Sequence, residues 1–233
     1  FYLRGRAAIA RWTASSADAA DAALSRAIEL DPRFAAAYAA LYDARIMAAD
    51  RRSSGASPRL AGRALAAARA AHEPLIERAL ELDPSSGAAR FARAIWADDS
   101  ATTREQDFRL GLELDPSNGR GITAFAEFLD RTGRRDAGER MLARAIEIDP
   151  LSPRAHFWRV QRKFPGNPAN FSADMPTVPE ELEAGMLAVL ELDTDYQPAL
   201  QRYAKYRWQM HGDFATALPM IERALALDPQ SAW

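Results

Sequence analysis

The sequence predicts an all-α chain: an α-solenoid of about six helical hairpins stacked in a row. Three observations predict it. A helix-ending phrase recurs as Ala27-Ile28-Glu29-Leu30-Asp31-Pro32, Ala79-Leu80-Glu81-Leu82-Asp83-Pro84, Gly111-Leu112-Glu113-Leu114-Asp115-Pro116, Ala145-Ile146-Glu147-Ile148-Asp149-Pro150 and Ala224-Leu225-Ala226-Leu227-Asp228-Pro229, with a degenerate Leu190-Glu191-Leu192-Asp193-Thr194. The prolines of these copies lie 52, 32, 34 and 79 residues apart, and the Thr194 copy divides the last gap into 44 and 35, a beat near 34 with insertions. Small residues recur where paired helices approach most closely, while bulky ones fill the space beside them.

Each Asp-Pro ends a helix, because proline cannot continue one and pushes the residue before it out of the α region. The first hairpin covers 1–33, with Ala8, Ala20 and Ala27 at the small positions. The second, 35–84, is expanded. After Tyr38, Leu41 and Tyr42 its helix runs to about Arg51, where Ser53-Ser54-Gly55-Ala56-Ser57-Pro58 breaks it. Ser57 is placed as N-cap with Pro58 at the first helical position. A long helix follows to Leu82, and Pro74, which removes one intrahelical hydrogen bond, marks a place for a kink. The third hairpin, 87–116, turns near Asp98-Asp99-Ser100. The fourth, 119–150, is the best copy, with Ile122, Phe125, Ala126 and Leu129 on its first helix, Gly133 at the turn, and Gly138, Leu142 and Ala145 on its second. The fifth, 153–194, is interrupted by an aperiodic loop at 165–179 that holds four prolines. The sixth, 197–229, turns at His211-Gly212-Asp213.

On these residues the chain resembles the tetratricopeptide repeat, and the resemblance spans nearly all of it. It implies a right-handed superhelix and a role in holding a partner. Tyr2-Leu3-Arg4-Gly5-Arg6, Arg26 to Pro32 and Ala37-Tyr38-Ala39-Ala40-Leu41 are further similar to the C-terminal repeat regions of bacterial one-component signalling proteins: winged-helix transcription regulators, class III adenylate cyclases and some Ser/Thr kinases. That likeness implies a sensory or docking arm whose output domain lies elsewhere. The opening at Phe1 and the phrase Pro229-Gln230-Ser231-Ala232-Trp233, which reads as the start of another repeat, lead us to expect a segment of a larger protein.

Composition narrows the function classes. A net charge of −2 gives no basis for nucleic-acid binding, which needs a concentrated basic surface. No stretch approaches the roughly 18 apolar residues of a membrane span. The absence of cysteine removes thiolate catalysis and thiolate metal sites, and leaves cytoplasm and periplasm equally open. Only Lys163 and Lys205 among the cations are lysines, which with heavy alanine use suggests a bacterial source.

No chemistry-bearing constellation stands out, and no cofactor, metal or enzymatic activity is expected. His72, His156 and His211 have no partners at metal-ligand spacing, and His72-Glu73-Pro74-Leu75-Ile76 lacks the second histidine of a zinc-protease helix. Asp115-Pro116-Ser117-Asn118-Gly119 and Asp193-Thr194-Asp195 lack the full ligand register of a calcium loop; helix termination explains their aspartates. Asn170-Phe171-Ser172 is formally a glycosylation acceptor, a chance match in a bacterial chain.

Binding is expected on the concave face, lined by the first helix of each hairpin. Its candidates are Tyr2, Gly5, Ile9, Trp12, Ala39, Asp43, Ile46, Phe91, Ile95, Thr123, Glu127, Phe157, Gln161, Gln201, Lys205 and Trp208. The resemblance would place asparagines where Asp43, Ile95 and Glu127 stand, so a clamp for a peptide's C-terminal carboxylate is not expected. The aromatics suit a protein or peptide partner with an apolar or amphipathic segment. The competing assignment of Phe91, Trp96, Trp158 and Trp208 is packing within the hairpins. A second expectation is self-association through solenoid ends that expose core, giving a homo-oligomer.

Overall fold

The computed structural model describes residues 1–11, 13–53, 56–97, 100–164 and 180–229, so Trp12, residues 98 and 99 of the third turn, and the expected loop 165–179 lie outside the described residues. Among the described residues there are twelve helices, paired in sequence: α1 (Tyr2–Ala10) with α2 (Ala14–Leu30), α3 (Ala35–Arg52) with α4 (Pro58–Leu82), α5 (Gly87–Trp96) with α6 (Ala101–Leu114), α7 (Gly119–Arg131) with α8 (Arg135–Ile148), α9 (Pro153–Lys163) with α10 (Glu180–Leu192), and α11 (Gln197–His211) with α12 (Phe214–Leu227). The first helices α1, α3, α5, α7 and α9 lie side by side and the second helices back them, an all-α solenoid.

The repeated aspartate does more than precede proline. The backbone of Asp31, Asp83, Asp115, Asp149 and Asp228 leaves the helical region at the C-cap of its hairpin's second helix. In three of them the carboxylate then accepts the backbone N–H two residues on, from Arg33 to Asp31 at 2.9 Å, from Ser85 to Asp83 at 3.0 Å and from Leu151 to Asp149 at 3.3 Å. This side-chain turn delivers the chain into the next helix. The copy without proline makes it as well, the Asp195 N–H donating to Asp193 at 2.9 Å. Among the described residues, six helices then start on a side-chain cap from Thr13, Ser86, Ser100, Asn118, Ser152 or Asp213. Ser57 occupies the N-cap of α4 ahead of Pro58, but its hydroxyl makes no capping bond. α4 continues unbroken through Pro74, as α12 does through Pro219.

Apolar clusters succeed one another along the stack. One joins the first two hairpins to Trp96 of α5 and includes Leu24, Tyr42, Ile46, Met47 and Ile76. The next joins hairpins three and four, where Phe108 stacks on Phe125 with ring centroids 5.0 Å apart. The Phe91 ring is wedged between Gly111 of α6 and Gly121 of α7, and a Cβ on Gly121 would collide with it. A further cluster holds Val160, Met186, Tyr203 and Tyr206 of the last two hairpins.

The hairpins are also coupled by charge at one register. Ten residues before the terminal aspartate, the second helix carries Asp21, Glu73, Glu105, Glu139 or Glu183. Four of these meet an arginine of the following hairpin: Asp21 with Arg45 (2.6 Å), Glu105 with Arg134 (2.6 Å), Glu139 with Arg162, and Glu183 with Arg207 (2.9 Å). Arg134 holds the Glu105 carboxyl below the ordinary carboxylate value.

Candidate functional site

The first helices enclose a cavity of about 460 Å³ on the concave side, within the size range of ligand sites. Its floor is built from alanines one helical turn apart, Ala36 and Ala40 on α3 and Ala88 and Ala92 on α5. These short side chains leave the space open. Tyr2, Arg6 and Ile9 of α1 form one wall, and the start of α7 (Asn118 to Gly121) with residues 148–154 forms another. Tyr196, the N-cap of α11, reaches in from the far end.

Two ion pairs organise this face. Asp43, almost fully buried, accepts the Trp96 indole N–H at 2.6 Å and both terminal nitrogens of Arg120 at 2.5 and 2.8 Å, bridging α3 to α7 across α5. Glu127 accepts Arg154 Nε and Nη2 at 3.0 and 2.9 Å, tying α7 to α9. Burial opposes the Arg154 charge, but the Glu127 carboxylate outweighs it, so its pKa is raised. Burial pushes the Tyr196 phenol far above its usual range, so it stays a neutral donor. The result is a wall of compensated charges, with exposed Arg6 over the Tyr2 ring at 6.0 Å on the rim.

The sequence candidates distribute unevenly over this geometry. Tyr2, Asp43 and Phe91 line the cavity, although Phe91 is only 2% exposed and serves mainly as hairpin core. Glu127 stands behind the cavity and acts on it through Arg154. Ile95 is half-buried between two apolar clusters. Phe157 packs edge-on to Tyr196, centroids 5.6 Å apart. Gln161 lines a shallower recess with Asp130, Arg131, Trp158 and Arg162. Gln201 and Lys205 are half-buried on α11, and Trp208 is 46% exposed beside Phe214. Of the other aromatics, Trp96 is buried, and Trp158 is half-buried with its N–H on Asp130 at 3.0 Å. Trp12 lies outside the described residues.

Sequence reasoning missed Arg6, Arg120, Arg154, Asn118 and Tyr196. The alanine pairs at helical spacing were a readable signal of an open floor. The Asp43–Arg120 pair, 77 residues apart, left none. Among the described residues no group of three histidine, cysteine or carboxylate side chains is arranged to hold a metal, and no helix is long and apolar enough to cross a membrane.

No family model matches the chain, and no curated protein matches it. Solved structures do. Yeast Tom70 superposes with a TM-score of 0.53 at 15% identity, over 94% of this chain and 50% of that one, so the chain spans half the length of Tom70. YrrB, described as a TPR protein with an unusual peptide-binding site, matches with a TM-score of 0.42 at 18% identity, over 89% of this chain and 93% of that one. At such identities the likeness concerns fold alone, and in fold this chain is similar to the tetratricopeptide-repeat proteins, an all-α solenoid of stacked helical hairpins.

Proposed function

We propose that the chain is a protein-interaction module, a sensory or docking arm of a larger bacterial signalling protein, which holds an apolar or amphipathic partner segment in its concave cavity. One observation carries the reading: an open floor of alanines between aromatic walls, with the neighbouring charges already compensated by one another. An apolar side chain entering the floor displaces water from Ala36, Ala40, Ala88 and Ala92 and leaves both ion pairs intact. Tyr2, Asn118 and Tyr196 at the margins supply polar contacts to a backbone passing over it. The signalling context rests on the likeness of residues 2–6, 26–32 and 37–41 to regulator repeat regions.

Selection from a random-peptide display library on the purified chain tests the reading, with Ala40→Trp as counter-target. Ala40 is half-buried and faces the cavity, so the indole fills the floor and is expected to abolish capture while the helical circular dichroism stays unchanged. Peptides that bind the filled variant equally well would sink the cavity as the binding site.

A further inference from the structure

In a solenoid each hairpin touches its immediate neighbours, so curvature accumulates from joint to joint with nothing to fix its total. Arg120 already skips one hairpin to reach Asp43. Arg51 skips three. It leaves α3 of the second hairpin and places its Nε 4.0 Å from Asp228 Oδ2, at the C-cap of α12 in the sixth, and the two side chains are 14% and 0% exposed.

The reach comes from the expansion of the second hairpin. α3 is 18 residues long, whereas α7 of the best copy is 13 and α11, the next longest first helix, is 15. Both α3 and α7 begin four residues after a terminal aspartate, so α3 matches α7 as far as Met47, and Ala48 to Arg52 are an added turn where the fourth hairpin bends at Gly133. Asp50 follows Asp43 by seven residues, two helical turns, and so stands on the same concave face. The far hairpins surround this turn. Burial raises the Asp50 carboxyl above its ordinary value, against the pull of Arg51, Arg131 of α7, Arg69 and Arg154 of α9. The Arg51 charge also acts on Tyr196, the residue of α11 that reaches into the cavity.

The aspartate at the other end is set apart from its counterparts too. Asp31 and Asp149 are exposed and Asp83, Asp115 and Asp193 are half-buried, while Asp228 is 1% exposed. A carboxylate buried to that degree needs a cation, and Arg51 supplies one.

We propose that the added turn of α3 is a strap that closes the solenoid across its own concave side, with Arg51 and Asp228 as the latch. The strap turns a stack whose curvature is the sum of its joints into one of fixed bore. The cavity, lined by Asp43 on one side and Tyr196 on the other, lies between its two anchors, so the latch sets how far the first helices can spread. The strap needs no partner and stands whether or not the cavity takes a peptide.

The chain has no cysteine, so Ala67→Cys on α4 and Ala215→Cys on α12, both at exposed positions, can carry one spin label each, and pulsed electron paramagnetic resonance then reads the distance between the second and sixth hairpins. A narrow distribution is expected. Arg51→Glu sets a second carboxylate against Asp228 and should broaden the distribution and lengthen its mean by about 5 Å, one turn of helix, with unchanged helical circular dichroism. Arg51→Met keeps the apolar stem without the charge and should broaden it less. Arg52→Glu, one residue on and paired with Asp18 of the first hairpin, should leave it unchanged. A distribution unmoved by Arg51→Glu, or moved as far by Arg52→Glu, would overturn the strap. Should Arg51→Glu lose helicity, Arg51→Met decides alone, and a distribution it leaves as narrow as the parent's overturns the proposal as well.

Discussion

Replacing Asp43 with alanine removes the acceptor that ties α5 and α7 to α3. The side chain is 5% exposed and receives the Trp96 indole at 2.6 Å and the Arg120 guanidinium at 2.5 and 2.8 Å. Hydrogen bonds to a buried charged group are worth about 1.5–3 kcal/mol each. The Trp96 bond counts in full. The Arg120 contribution is discounted, because that side chain is 25% exposed and water replaces part of the loss. The expected destabilisation is about 3 kcal/mol, below the 3–5 kcal/mol that breaking a fully buried pair costs. Asp43→Asn keeps a carbonyl oxygen for the indole and gives up only the charge, so about half the loss is expected. Urea unfolding followed by circular dichroism, with Arg120→Ala and the double variant completing a cycle, measures both. A loss under about 1 kcal/mol for the alanine variant, or equal losses for alanine and asparagine, would refute the assigned bonding.

Two glycines predict opposite signs. Gly121→Ala drives a Cβ into the Phe91 ring and should destabilise by about 1–3 kcal/mol, whereas Gly62→Ala on α4 meets nothing within 4 Å and should stabilise by up to about 1 kcal/mol through helix propensity; urea midpoints compare them. Glu105 titrates with the joint between hairpins three and four. Its folded pKa lies below the ordinary 4.5, so its stabilisation is present above that value and lost as pH falls through the folded pKa. Stability measured from pH 7 downward should fall less steeply in Glu105→Gln than in wild type, and identical slopes would refute the coupling.

The hairpins were readable because their signals are local. A terminal aspartate, small residues facing large ones, and N-cap side chains act within a turn or two of where they stand, and Gly133 and Gly212 adopt φ of 83° and 61° at their turns. The groove was legible only as a helix face. Its position along the stack depends on which first helices approach one another, and on arginines that cross whole hairpins, such as Arg120 reaching Asp43. Phe91 sat on the expected face yet turned into the hairpin because Gly111 and Gly121 left it room. Aromatic identity could not distinguish Phe91 from Trp208, which stands exposed on α11 beside Phe214.

The acidic register also has a mechanical side. The joints combine the apolar clusters, which salt scarcely weakens, with half-exposed pairs such as Asp21 with Arg45, whose side chains are 36% and 32% exposed. Raising ionic strength therefore screens the charged share of such a joint and leaves its apolar share in place, so salt is expected to loosen the contact between hairpins before it touches the hairpins themselves.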